Sequence, residues 1–73
     1  MIEQIKAAIQ RAAGNKQKAA MFHFQVLINA DALVGIDPEG FCREVSVSEN
    51  YATEFRKMIA VARLMKEQGK KIV

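Results

Sequence analysis

Apolar residues recur at helical intervals along most of the chain. Ile2, Ile5, Ile9 and Ala12 are separated by three or four residues, the interval that returns side chains to one helix face. A helix is therefore predicted over 2–13. Glu3 lies near its start and Arg11 near its end, as the helix dipole favours. Lys6, Gln10 and Arg11 form its polar face, and Gly14 followed by Asn15 is the expected stop.

Residues 16–34, KQKAAMFHFQVLINADALV, carry a denser apolar pattern. The alternation Phe22, His23, Phe24, Gln25, Val26 is compatible with a strand having one wet face. A helix fits at least as well. Phe22, Val26, Ala30 and Leu33 make one stripe, while Met21, Phe24, Leu27 and Ile28 make a second. A lone strand would find no partner elsewhere in the chain, so a single helix over 16–34 is expected, closed by Gly35. Two apolar stripes exceed what one side of a small core covers. Either this helix is the centre of the core, or it joins two subunits. Under the second reading Phe22, Phe24, Val26, Leu27 and Leu33 are the expected dimer interface.

Asp37-Pro38-Glu39 is the clearest local signal. Asp is a good N-cap, Pro suits the first helical position, and Glu favours the positive end of the dipole. A third helix is predicted over 38–45, then a turn at 46–48. A fourth helix over 49–68 has Ser48 as its N-cap. Ala52, Phe55, Met58, Ile59, Ala62 and Met65 keep helical spacing along it, and Gly69 ends it. The expected fold is all-α, with four helices in a single domain and no repeat or linker.

The stretch FCREVSVSENYATEFRKM, Phe41 to Met58, sets two short helices against each other across that turn. Phe41, Val45, Val47, Ala52 and Phe55 are its apolar positions, and small Cys42 follows Phe41. Over residues 38–58 this spacing resembles the helix-turn-helix of DNA-binding regulators, with Ser46 standing where Gly is usual. Gly is favoured there because such turns often need φ > 0, so Ser46 implies mild strain or a different turn. The resemblance implies that the last helix meets duplex DNA. Asn50, Thr53 and Arg56 would then face base edges, with Tyr51, Lys57 and Arg43 on phosphates. Glu49 and Glu54 lie on the same surface and oppose that attraction.

Charge changes this picture modestly. The net charge is +3 over 73 residues. Residues 1–35 carry Lys6, Arg11, Lys16 and Lys18 against Glu3 and Asp31, a net +2. Residues 36–48 carry Arg43 against Asp37, Glu39 and Glu44, a net −2. Residues 49–73 carry six cations against Glu49, Glu54 and Glu67, a net +3. Both ends suit a polyanion partner. So weak a surplus favours a homodimer on two half-sites about 34 Å apart.

Other chemistry finds little support. One cysteine cannot form an internal disulfide, and one His with one Cys is short of the usual zinc ligand set. There is no phosphate loop and no cofactor motif. Glu39 and Glu44, like Glu49 and Glu54, diverge by about 140° on a helix. Cys42 and His23 lack an orienting third group, so no catalytic residue, metal or cofactor is expected. The free cysteine and early charges of MIEQIKAAIQ suggest a reducing cytoplasm. No apolar run approaches the ~18 residues of a membrane span. A helical protein-interaction module is the alternative function. RNA binding is weaker, with Tyr51 as the one stacking platform.

Overall fold

The structure is a computed structural model, and it describes residues 1–69. It is all-α: α1 (Ile2–Ala13), α2 (Lys18–Ile28), α3 (Ala30–Leu33), α4 (Pro38–Glu44) and α5 (Ala52–Glu67), with a 3-10 turn at Glu49–Tyr51 leading into α5. α2 is central. It packs on α1 along one side and on α5 along the other, while α4 closes the end formed by the 3-10 turn and the start of α5.

The core follows the apolar stripes. Ile5, Ile9 and Ala12 of α1 and Phe22 and Val26 of α2 are buried. All six positions of the pattern from Phe41 to Phe55 are buried as well: Phe41, Cys42, Val45, Val47, Ala52 and Phe55. Phe22 and Phe55 flank Phe41, with ring centroids 5.9 and 5.1 Å from it. That spacing suits tilted aromatic pairs. Three helices therefore meet at one ring.

The helix ends show where backbone chemistry departs from expectation. Gly14, the expected stop of α1, is right-handed with φ −63°. The left-handed residue is Lys16, at φ 60°. Its N–H donates to the carbonyl of Ala13 at 3.1 Å, and Gln17 N–H donates to Ala12 at 2.9 Å. That pair of bonds is the Schellman arrangement, with Lys16 in the position where Gly is commonest. The same motif ends α4. Ser46 has φ 62°, its N–H donates to Arg43 at 3.1 Å, and Val47 N–H donates to Cys42 at 3.0 Å. So the turn keeps left-handed geometry with Ser in the place of Gly, and Val47 swings back into the core.

The long helix expected over 16–34 is interrupted. Asn29 has φ −105° and ψ 15°, away from helical values. Its side-chain amide donates to the Gln25 carbonyl at 2.8 Å. An Asn side chain that competes for a backbone acceptor breaks the ladder locally, and α3 continues for one turn beyond. Gly35 then takes φ 88°. The Asp37 cap forms as expected, with Gly40 N–H donating to Oδ2 at 2.9 Å. A Cβ on residue 40 would stand 2.9 Å from that same oxygen, so Gly40 leaves room for its own cap. Ser48 Oγ accepts from Asn50 N–H at 3.2 Å; the first turn after it is 3-10 rather than α.

The assignment of Phe22, Val26 and Leu33 to a dimer interface is corrected. All three have no exposed surface within one protomer. The stripe they define faces α1 and α5, and a partner could not reach it. Of the five residues expected there, only Phe24, 44% exposed, and half-buried Leu27 retain accessible surface.

Replacing Phe55 by Ala should cost about 3–5 kcal/mol, as a large core truncation does. A chain of this size holds only about 4–11 kcal/mol at ~0.05–0.15 kcal/mol per residue, so the variant should unfold in mild urea. A midpoint unchanged from wild type would place Phe55 outside the core. At the α4–α5 turn, Ser46→Gly should raise stability by about 0.5–1 kcal/mol by relieving a left-handed L-residue, whereas Ser46→Val should lower it. Denaturant midpoints of the three proteins test this, and a less stable Gly variant contradicts it.

Candidate functional site

The surface around the α4–α5 turn carries the residues singled out in the sequence. The Ser48 cap and the 3-10 turn push Asn50 into solvent, and Thr53 follows on the exposed face at the start of α5. Neither side chain has a hydrogen-bond partner among the described residues. Tyr51 lies differently. It is half-buried, its ring edge-on to Phe22 with centroids 5.1 Å apart. The Lys18 ammonium stands over the same ring, 5.8 Å from its centroid.

The three cations of this surface all have carboxylate neighbours. Arg43 Nη1 lies 3.2 Å from Glu49 Oε2, and its Nη2 is 4.0 Å from Asp37 Oδ2. Arg56 Nη2 donates to both oxygens of Glu39 at 3.2 and 3.4 Å, joining α5 to α4. Lys57 Nζ reaches Glu54 Oε2 at 3.4 Å. Three cations thus sit among four carboxylates, and the surface has no basic surplus. Lys57 and Glu54 are an i,i+3 pair legible in the sequence, whereas Arg56 and Glu39 stand 17 positions apart, so local sequence gave no sign of that pair.

Glu54 has a second partner. His23 Nε2 lies 2.9 Å from Glu54 Oε1. An ionised carboxylate only accepts, so the Nε2–H donates and ties α2 to α5. This bond, first, holds the Glu54 carboxyl below the usual carboxylate range; partial desolvation opposes it, and Lys57 adds to the lowering. Cys42 behaves in the opposite way. Burial pushes its thiol up, and the nearby Glu39 and Glu49 carboxylates push in the same direction. A thiol held protonated is a poor nucleophile.

Beyond this surface, Gln10 Nε2 donates to the Val45 carbonyl at 3.0 Å. The bond links α1 to the α4–α5 turn. Among the described residues, no group of three His, Cys, Asp or Glu side chains is placed to hold a metal ion. No described helix is long and apolar enough to cross a membrane.

The chain belongs to the HTH-like domain family, whose model matches residues 1–68. That span covers nearly the whole sequence and includes α1 through α5. No curated protein and no solved structure matches the chain.

Because the folded carboxyl of Glu54 titrates below its unfolded counterpart, its bonds stabilise the chain fully above the ordinary carboxylate range. That contribution is lost as pH falls through the folded value. Glu54→Gln should therefore lower the thermal midpoint at pH 7 and leave it at the wild-type value in strongly acidic buffer. A Tm difference that persists unchanged with acidification would mean that the His23 bond is not what holds the carboxyl down.

Proposed function

We propose that the protein is a sequence-specific DNA-binding regulator in which α4, the Ser46 turn and α5 are the DNA-facing unit. The observation that carries this reading is the left-handed turn at Ser46. It sets the α5 entrance, with Asn50 and Thr53 exposed and unpartnered, clear of the core. Asn presents the donor and acceptor needed for the two groups of an adenine edge, and the Thr methyl suits thymine. Arg56 would read guanine, with Lys57, Arg43 and Tyr51 beside the backbone. The ion pairs around these cations are solvent-exposed, and exposed pairs are worth about 0.2–1 kcal/mol each. A good bidentate base contact is worth about 1–3 kcal/mol. Arg56 can therefore exchange Glu39 for a base at a net gain.

Electrostatic attraction is the weak side of the unit, since its cations are matched by carboxylates. A homodimer that engages two half-sites compensates. The apolar surface left for it is the outer side of α2 and α5: Phe24 and Ile28, each 44% exposed, with Val61 at 38% and Leu64 at 56%. Leu27 lies on the same helix. Within the protomer the fully buried residues of α5, Ala52 and Phe55, both lie at its start, so its later half keeps an uncovered apolar face. A second copy is the proposed occupant. The whole chain acts as one such domain in a reducing cytoplasm, without cofactor or catalysis.

The exposed apolar surface also favours a second reading, in which the chain is a helical protein-interaction module that binds no DNA. Titration of labelled duplexes from the flanks of its own gene, across about 50–200 mM salt and beside a scrambled duplex, separates the two. Binding should prefer the flanks, weaken steeply with salt and involve two chains per duplex. Asn50→Ala should lose about 1–3 kcal/mol of the preference. Absence of binding at the lowest salt would overturn the DNA reading and leave the interaction module.

A further inference from the structure

Among the described residues the cations of the α4–α5 surface are all paired, and those without a carboxylate partner are Arg63, late in α5, and four near the start of the chain. Arg43, Arg56 and Lys57 all face carboxylates, as does Lys66, whose Nζ is 3.6 Å from Asp31. By contrast, Lys6, Arg11, Lys16 and Lys18 have no carboxylate within 4 Å among the described residues. Over the first eighteen residues only Glu3 opposes them.

Part of this surplus is held beside the exposed start of α5. Lys18 opens α2 and stands over the Tyr51 ring. That ring precedes α5 directly, between Asn50 and Ala52. Lys16 lies two residues earlier, exposed, in the left-handed position of the α1–α2 corner. Lys6 shares a helix face with Gln10, four residues on, and Gln10 is bonded to the Val45 carbonyl at the α4–α5 turn. Two independent contacts therefore bring the α1–α2 arm to the end of the molecule where Asn50 and Thr53 project.

We propose that the α1–α2 corner, with Lys16 and Lys18 and with Lys6 alongside, is the phosphate-binding edge of the protein, gripping the duplex backbone while the start of α5 faces the bases. This assignment rests on the DNA-binding reading above and moves the main phosphate contacts away from Arg43 and Lys57. The chemistry fits a backbone rather than a base. Ammonium groups act as point charges on phosphate, and the Tyr51 ring limits where the Lys18 stem can go. Tyr51 then serves as the platform that aims Lys18.

The test compares salt slopes. The double variant Lys16→Asn/Lys18→Gln keeps a residue that tolerates the left-handed turn. Its slope of log K against log salt on the preferred duplex should be shallower than wild type by about 1–2, since each phosphate contact contributes about 0.9. The preference over the scrambled duplex should be unchanged. Lys16→Asn/Lys18→Arg, which keeps the charge at position 18, should lose only part of that slope. Arg63→Gln removes one charge twelve residues beyond Tyr51, about 18 Å along α5, and should leave the slope as it is. Wild-type binding with an unaltered slope in the double variant would overturn this assignment alone. An equal loss in Arg63→Gln would reduce it to net charge and overturn it too. Failure of the wild type to bind any duplex would instead remove the DNA reading on which it rests.

Discussion

Phe41 lies between Phe22 and Phe55, and the rest of the structure depends on that arrangement. The Phe41 ring of α4 lies within 6 Å of one ring from α2 and one from α5, and Tyr51 extends the series from Phe22. Aromatic rings bury large area and prefer tilted or edge-on contacts. The cluster therefore constrains orientation as well as proximity. α4 has only seven residues and could not hold its angle alone. Its direction is set by Phe41 at its middle and by the Ser46 turn at its C-terminal end. The position of the α5 entrance, and so of Asn50 and Thr53, follows from both.

Charge is arranged along a different line from packing. α4 and the early turns of α5 carry cations and anions in near balance, tied across the turn by Arg43–Glu49 and Arg56–Glu39. The α1–α2 arm carries its cations almost unopposed. Exposed pairs of this kind contribute little to stability, yet they shape the field met by an approaching polyanion. Hydrogen-bonding groups and net charge are therefore separated: the α4–α5 surface exposes Asn50 and Thr53 among balanced charges, and the α1–α2 arm carries the surplus.

Much of this fold was legible in the sequence because burial is periodic. The stripe Ile2–Ile5–Ile9–Ala12 gave α1 its bounds, and Asp37-Pro38 gave the start of α4. The spacing from Phe41 to Phe55 named six buried residues. Other features were not legible. Which of the two stripes on α2 faces inward depends on where α1 and α5 sit, and hydrophobicity does not distinguish Phe22 from Phe24. The break at Asn29 arises from a side-chain bond to a carbonyl one turn earlier, while the residue itself is an ordinary helix surface choice. Gly14 drew attention from Lys16 because glycine is the common signal for a left-handed cap. Here the wider bond pattern placed that cap two residues later. At the site, the exposure of Thr53 followed from helical phase, whereas Asn50 is turned outward by the Ser48 cap and the 3-10 turn. The partners of Arg56 and His23 came from helices 17 and 31 positions away and left no local trace.

Cys42 is the single thiol of the chain, and it is wholly enclosed between α4 and the aromatic cluster. Its burial and the neighbouring carboxylates keep it protonated. A thiol-directed reagent can react only when α4 leaves its place, so the extent of alkylation reports the population of the open helix pair, and its rate the openings themselves where the reagent outpaces reclosing. The chain thus contains an intrinsic probe of the motion of α4 against α5, readable by mass on the unmodified protein, and a ligand that clamps the two helices together would slow the labelling.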